Sequence, residues 1–215
     1  MHDYQKEFIE FSFKHNVLCF GEFVLKSGRK SPFFFNTGLF NTGAALDHIG
    51  RCYARVIQDS KLEFDMLYGP AYKGIALASA TAMALCRDYE RSVPYCFNRK
   101  ENKDHGEGGA IVGAPLKGRV LIIDDVISAG TSVNESVGLI TAAGATPVGI
   151  VIALDRQERG SGHLSAVQEI EERLALRVIS VITLGVLLEY LGGNPAMQKE
   201  LQRVRAYRTQ YGVAG

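Results

Sequence analysis

Two adjacent aspartates, Asp124 and Asp125, close an apolar run and lead into a short turn rich in hydroxyls and glycine. The segment from residue 120 to residue 136 reads VLIIDDVISAGTSVNES. Amide N–H groups in the first turn of a helix lack partners within the helix and lie at the positive end of its dipole. Gly130 additionally allows an anion to approach the backbone closely. The segment therefore predicts a phosphate-binding turn after a buried strand.

The two carboxylates need a partner other than phosphate, because like charges repel. Ribose hydroxyls or a metal-bound substrate would suit them, so the segment fits a sugar phosphate better than a nucleoside triphosphate. The GxxxxGK[ST] string of a Walker A loop is absent. An ordinary helix start with a Ser or Thr cap is the competing interpretation. The acids at the end of a buried strand and the clustered hydroxyls favour the sugar phosphate.

Apolar runs alternate along the chain with segments of helical periodicity, which predicts an α/β fold with a mainly parallel sheet and helices on both faces. Residues 1–40 are expected to form a helix and a small hood of two strands, and residues 41–215 the α/β core. The predicted strands cover residues 20–28, 31–38, 65–70, 93–98, 119–125, 146–155 and 177–184. The predicted helices after the hood cover residues 44–58, 73–89, 131–144, 163–176 and 194–211. In such a sheet, ligands bind outside the carboxyl ends of the strands.

The strand, acid pair and turn resemble the ribose-phosphate binding signature of the type I phosphoribosyltransferases. The resemblance implies that Asp124 and Asp125 contact the ribose hydroxyls of phosphoribosyl pyrophosphate, and that the loop after them holds its 5′-phosphate. The loop residues so assigned are Val126, Ile127, Ser128, Ala129, Gly130, Thr131 and Ser132.

A polar, glycine-rich segment, RKENKDHGEGGAIVGAPLKG from residue 99, interrupts the alternation and predicts a long loop, with a flexible catalytic part at about residues 99–110. Loops of this length are uncommon in compact domains unless they are functional or disordered. The segment resembles the catalytic flap of the orotate phosphoribosyltransferases. That resemblance assigns Arg99, Lys100, Lys103 and His105 to catalytic contacts with pyrophosphate. It also implies a homodimer with shared active sites, because the family's flap reaches the neighbouring subunit.

Two further segments carry the resemblance to the orotate enzymes. The turn LYGPAYKGIA, from residue 67, is similar to the family's pyrophosphate loop and points to Tyr72 and Lys73. The hood segment LKSGRKSPFFFNTG is similar to the part that packs on the pyrimidine. The residues assigned to orotate are Lys26, which is also assigned to phosphoribosyl pyrophosphate, and Phe34, Phe35, Ser128 and Arg156. A guanidinium such as that of Arg156 matches the carboxylate of orotate bidentately.

Composition excludes several other classes of protein. The formal net charge is +1, without the basic excess of a dedicated nucleic-acid binder. No apolar run approaches the roughly 18 residues that indicate a membrane span. Cys19, Cys52, Cys86 and Cys96 show neither CxxC nor zinc-site spacing, so we expect reduced thiols in a cytoplasmic protein.

The resemblance predicts a Mg²⁺-dependent transfer of phosphoribosyl to orotate, giving orotidine 5′-phosphate and pyrophosphate in pyrimidine biosynthesis. Mg²⁺ is expected to be held mainly by the substrate, without a direct protein ligand. Two alternatives stay open on the sequence. One is a purine or uracil phosphoribosyltransferase, and the other is a nucleotide-sensing regulator on the same fold.

Overall fold

The first forty residues form a helix and a two-stranded hairpin whose strands do not join the main sheet. The computed structural model describes residues 1–25, 27–101, 110–127, 130–160 and 162–213. Helix α1 (Asp3–Lys14) is followed by β1 (Leu18–Val24) and β2 (Lys30–Phe35), which pair antiparallel. A 3₁₀ turn at Thr37–Leu39 then leads to the rest of the chain.

A six-stranded sheet runs through the centre of the described structure, in the order β5-β4-β3-β6-β7-β8. All neighbours pair parallel except β4 and β5, which pair antiparallel. The strands are β3 (Met66–Gly69), β4 (Tyr95–Asn98), β5 (Ile111–Gly113), β6 (Arg119–Ile123), β7 (Thr146–Asp155) and β8 (Arg177–Thr183). The predicted mainly parallel α/β sheet is confirmed.

Helices cover both faces of this sheet, and the side chains of β6 show why. Leu121 and Ile123 enter one buried cluster and Val120 and Ile122 enter the other, because successive side chains of a strand point to opposite faces. The first cluster packs against α1 and four further helices, and the second packs against α4 and α5. The helices after α1 are α2 (Gly43–Ser60), α3 (Lys73–Tyr89), α4 (Thr131–Ala142), α5 (Ala166–Leu174), α6 (Leu184–Gly192) and α7 (Gln198–Tyr211).

The predicted strand at residues 31–38 ends at Phe35, before the 3₁₀ turn, and one strand and one α-helix were absent from the sequence-based prediction. Strand β5 lies inside the segment predicted as an unbroken loop from residue 99, where Val112 pairs with Phe97. Helix α6 was not predicted, because it follows β8 directly and its leucines continue the apolar run of the strand. Thr183 is the last residue of β8, and its hydroxyl caps α6 by accepting a hydrogen bond from the Val186 amide.

The described residues include no helix with the length and apolar character that would allow it to cross a membrane. The division at residue 40 into hood and core stays a prediction. Most of the predicted flap, residues 102–109, lies outside the described residues.

Candidate active site

Asp124 and Asp125 directly follow β6 at the carboxyl edge of the sheet. Both are buried, with 8% of their surface exposed. Helix α4 begins seven residues after Asp124, and its N-cap residue Gly130 has a left-handed backbone with φ +70°. The strand, the acid pair and the helix start therefore stand in the predicted order. The described part of this segment also includes Val126 and Ile127, and Thr131 and Ser132 at the start of α4. Ser128 and Ala129 lie outside the described residues.

Asp124 is held by side-chain and backbone hydrogen bonds. The Ser132 hydroxyl donates to Oδ2 over 3.1 Å, and the Asp125 amide donates to Oδ1 over 2.9 Å. The fully buried Tyr53 hydroxyl donates to the main-chain oxygen of Asp124 over 2.7 Å. Burial, and secondly the negative charge of Asp125, raise the pKa of Asp124 to about 6. Burial therefore favours the protonated form of this carboxyl group relative to an exposed aspartate.

Asp125 accepts from two different parts of the chain on one oxygen. Lys73 Nζ lies 2.7 Å from Oδ2, and the Thr37 hydroxyl donates to the same oxygen over 3.1 Å. The other oxygen, Oδ1, accepts from the Val126 amide over 2.9 Å. Lys73, which is predicted to bind pyrophosphate, thus forms an ion pair with Asp125, which is predicted to bind ribose.

The turn between β3 and α3 presents Tyr72 and Lys73 at the same sheet edge. It is closely packed: a Cβ atom on Gly69 would lie 2.1 Å from the main-chain oxygen of Gly74. The peptide bond between Ala71 and Tyr72 is cis. The Ala71 amide donates to Asn98 Oδ1 over 2.8 Å, which connects the turn to the end of β4. Tyr72 is 73% exposed, so its side chain is available to a ligand.

The hood meets the end of β7 at Arg156. The Arg156 guanidinium lies 4.1 Å from the centre of the buried Phe33 ring. Its Nη2 donates to the Ser31 hydroxyl over 3.0 Å, and its Nε donates to Glu158 Oε1 over 2.7 Å. A carboxylate ligand of Arg156 would therefore share the guanidinium with Glu158.

The phenylalanines of β2 alternate between core and surface. Phe35 is buried, whereas Phe34 is 40% exposed and stacks on Phe23 with 5.4 Å between ring centres. Of the residues predicted to bind orotate, Phe34, Phe35 and Arg156 are described, and Lys26 and Ser128 are not.

The predicted flap cations are described only in part. Arg99 and Lys100 directly follow β4, at the carboxyl edge that also holds the acid pair, and the Arg99 amide donates to the main-chain oxygen of Ala110 over 2.8 Å. Lys100 is exposed. Lys103 and His105 lie outside the described residues.

Several residues at the site were missed by sequence reasoning. Thr37 contacts Asp125, Tyr53 contacts Asp124, and Ser31 contacts Arg156. The two residues of each pair lie 71 to 125 positions apart in sequence, so no local pattern could indicate these contacts. Glu158 could have been found, because a carboxylate two residues after an arginine is a ready ion-pair partner.

Comparison with known proteins decides the family. A family model described as a phosphoribosyl transferase domain matches residues 36–180. The orotate phosphoribosyltransferase of Cronobacter sakazakii is 59% identical over 213 residues, which cover 99% of this chain and 100% of the relative. The chain belongs to the orotate phosphoribosyltransferases. The enzyme of that name from Thioalkalivibrio sulfidiphilus is also 59% identical, over 99% of this chain and its own full length.

Solved structures agree with the assignment to the orotate phosphoribosyltransferases. The Francisella tularensis orotate phosphoribosyltransferase has a TM-score of 0.86 and 41% identity, over 96% of this chain and 99% of that one. A Mycobacterium tuberculosis orotate phosphoribosyltransferase in complex with phosphoribosyl diphosphate has a TM-score of 0.63. It is 21% identical over 85% of this chain and 97% of that one, and this likeness concerns the fold alone.

Proposed function

We propose that the protein transfers the 5-phosphoribosyl group of phosphoribosyl pyrophosphate to orotate, releasing pyrophosphate and forming orotidine 5′-phosphate in de novo pyrimidine biosynthesis. The observation that carries the proposal is the buried Asp124–Asp125 pair beside the N-terminus of α4, in a chain that belongs to this family.

The turn between β6 and α4 would hold the ribose phosphate. Backbone amides after Val126, up to Ser132, would donate to the 5′-phosphate at the positive end of the α4 dipole, while the Val126 amide donates to Asp125. Asp124 and Asp125 would accept hydrogen bonds from the ribose hydroxyls, and both are already fixed by donors from the protein. Such fixed carboxylates need little reorganisation when the sugar binds.

Cations would stabilise the departing pyrophosphate. Breaking the bond at C1 of ribose leaves positive charge on the sugar and negative charge on the leaving group, so aligned cations favour the transition state selectively. The proposed contacts are Tyr72, Lys73, Arg99, Lys100, Lys103 and His105. If these contacts supply about 4 kcal/mol, the rate rises roughly a thousandfold.

Orotate would lie between the hood and the end of β7. Phe34 and Phe35 would bind the pyrimidine, with Lys26 and Ser128 near the substrate and Arg156 at its carboxylate. Support comes from the contacts of Arg156 with Ser31 and Phe33, which place this guanidinium against the hood strand. Because Glu158 and Ser31 restrain it, the guanidinium would need little ordering when orotate binds.

We infer that Mg²⁺ would be held mainly by the substrate. The acid pair offers the oxygen donors that Mg²⁺ prefers, but all four carboxylate oxygens of the pair already accept hydrogen bonds. No group of three or more His, Cys, Asp or Glu side chains suited to a metal occurs in the part of the chain that the structure describes. When bound, the ion would neutralise negative charge on the departing pyrophosphate. Chelation of Mg²⁺ should therefore abolish turnover.

We further infer a cytoplasmic homodimer in which some residues of the flap serve the neighbouring subunit's site. The dimer and its shared sites rest on the family resemblance, and the cytoplasmic location rests on the expectation of reduced thiols. The near-neutral net charge agrees with the absence of a nucleic-acid partner.

An ultraviolet assay of orotate consumption tests the proposed reaction. Purified protein with Mg²⁺ and phosphoribosyl pyrophosphate should consume orotate and release pyrophosphate in equal amounts. Turnover of uracil or hypoxanthine without turnover of orotate would point to the other phosphoribosyltransferases. Tight RNA binding with no pyrophosphate release would point to a regulator.

A further inference from the structure

Thr37 makes a long-range contact with the acid pair that sequence reasoning did not anticipate. It is the first residue of the 3₁₀ turn that connects the hood to the core, and only 5% of its surface is exposed. Its hydroxyl donates to Asp125 Oδ2 over 3.1 Å, across 88 residues of sequence. The hood and the sugar-binding edge of the sheet are therefore joined by a direct side-chain hydrogen bond.

Lys73 shares the same carboxylate oxygen but is placed differently. Its side chain is 46% exposed, whereas that of Asp125 is 11% exposed. A lysine on an exposed, flexible stem can turn towards a new anion, and in the proposed reaction that anion is pyrophosphate. The buried Thr37 hydroxyl has no such freedom.

We propose that Thr37 is a positioning residue that holds Asp125 in orientation for the ribose hydroxyls when Lys73 turns to pyrophosphate. The proposal rests on the proposed function, because it takes Asp125 as a sugar contact. Without the hydroxyl, the departure of Lys73 would leave Oδ2 of a buried carboxylate with no protein donor among the described residues. Part of the binding free energy of the sugar would then be spent on ordering Asp125.

The variant Thr37→Val tests the proposal, because it keeps the branched shape and removes the hydroxyl. We expect the KM for phosphoribosyl pyrophosphate to rise about tenfold, equivalent to about 1.4 kcal/mol. The KM for orotate should stay within about twofold, because a single hydrogen bond on the sugar side is lost. Thr37→Ser restores the hydroxyl and should restore the KM for phosphoribosyl pyrophosphate.

Thr42→Val is the matched control. The Thr42 hydroxyl lies in the same connection but accepts from the Ala45 amide at the start of α2. Its loss should lower stability without changing either KM. If Thr37→Val does not fold, Thr37→Ala removes the same donor with less steric demand, and titration calorimetry of phosphoribosyl pyrophosphate with Mg²⁺ gives the affinity directly.

Asp125→Asn separates failure of this proposal from failure of the proposed function. If Asp125→Asn impairs use of phosphoribosyl pyrophosphate while Thr37→Val behaves as wild type, the role of Thr37 is disproved and the sugar contact stands. An equal rise in both KM values, or no restoration by Thr37→Ser, would also overturn the positioning role, because it would indicate general damage to the hood. A wild-type protein that does not consume orotate would instead contradict the proposed function.

Discussion

At the scale of single residues, the candidate active site contains two neighbouring carboxylates that have different hydrogen-bond partners. Asp124 is bonded by Ser132 and by the backbone, and its pKa is raised to about 6 by burial and by the neighbouring charge. Asp125 is paired with a lysine and a threonine from two other elements. The acid pair itself was predictable from sequence, because it stands between an apolar strand and a helix start. Its partners Thr37 and Tyr53 were not, because folding brings them from distant positions.

The raised pKa of Asp124 predicts a pH dependence of stability. Between about pH 4 and pH 6 the folded protein binds a proton at Asp124 that the unfolded chain, with a pKa near 3.8, has released. Stability from this group is therefore lost as pH rises through that window. Asp124→Asn lacks this titrating group. Its free energy of unfolding, relative to that of the wild type, should therefore rise by on the order of 2 kcal/mol from pH 4 to pH 7. Urea unfolding of both proteins at the two pH values measures this difference, and parallel pH profiles would contradict the raised pKa of Asp124.

The flap cations predict a split between turnover and binding. If Lys103 stabilises negative charge that develops as pyrophosphate leaves, Lys103→Ala should lower kcat by about 100-fold or more while changing the KM values little. Lys117→Ala, a lysine located after β5 and outside the predicted site, is the control. Steady-state kinetics with both substrates measures the split. Wild-type turnover of Lys103→Ala would remove this lysine from the transition state.

At the scale of elements, apolar runs and segments of helical periodicity were predictable, whereas a three-residue strand and a helix that continues an apolar strand were not. The predicted helix at residues 73–89 and the predicted strand at residues 146–155 coincide with α3 and β7. β5 has three residues and takes its structure from pairing with β4, so its own sequence carries little signal. α6 was hidden because Leu184 and Leu187 extend the apolar character of β8.

A substitution at Gly130, the N-cap residue of α4, tests whether the turn between β6 and α4 holds the phosphate. Gly130 has φ +70°, and a Cβ atom there would lie 3.1 Å from Ile170 Cδ1 of α5. Gly130→Ala should therefore lose about 1–2 kcal/mol of stability from backbone strain alone. It should also bind phosphoribosyl pyrophosphate more weakly, because alanine disfavours the left-handed backbone at the start of the turn's helix.

Gly144→Ala is the matched control for this variant. Gly144 follows the other end of α4 with φ +77°, and a Cβ atom there would have no neighbour within 4 Å. The control should show the loss of stability without the loss of binding. Chemical denaturation and calorimetry measure the two effects, and equal binding by both variants would show that the turn does not hold the substrate.

At the scale of the whole molecule, the central question is whether one chain suffices for a complete site. The acid pair, the turn between β3 and α3 that carries Lys73, and Arg156 all belong to the described part of one chain. The family resemblance implies that some residues of the flap serve the neighbouring subunit's site. Assembly is a property of two molecules, and neither the periodicity of the sequence nor the contacts within one chain reveal it.

Mixed dimers test the shared site. We expect Lys103→Ala and Asp125→Asn to be nearly inactive when each is assayed alone. Activity should recover when dimers of the two variants are dissociated and their subunits are reassembled together. Random assembly gives half heterodimers, each with one intact site, so about a quarter of wild-type activity is expected. Mixing two preparations of the same variant is the control. No recovery in a confirmed mixed dimer would show that flap and acid pair act within one chain.

The most direct measurement is a crystal structure of the wild-type protein with phosphoribosyl pyrophosphate and Mg²⁺. We predict that the 5′-phosphate lies against the amides between Val126 and Ser132, with the ribose hydroxyls at roughly 2.5–3.0 Å from the carboxylates of Asp124 and Asp125. A bound ligand whose phosphate lies elsewhere, leaving the turn before α4 empty and the two aspartates without a sugar contact, would contradict the account.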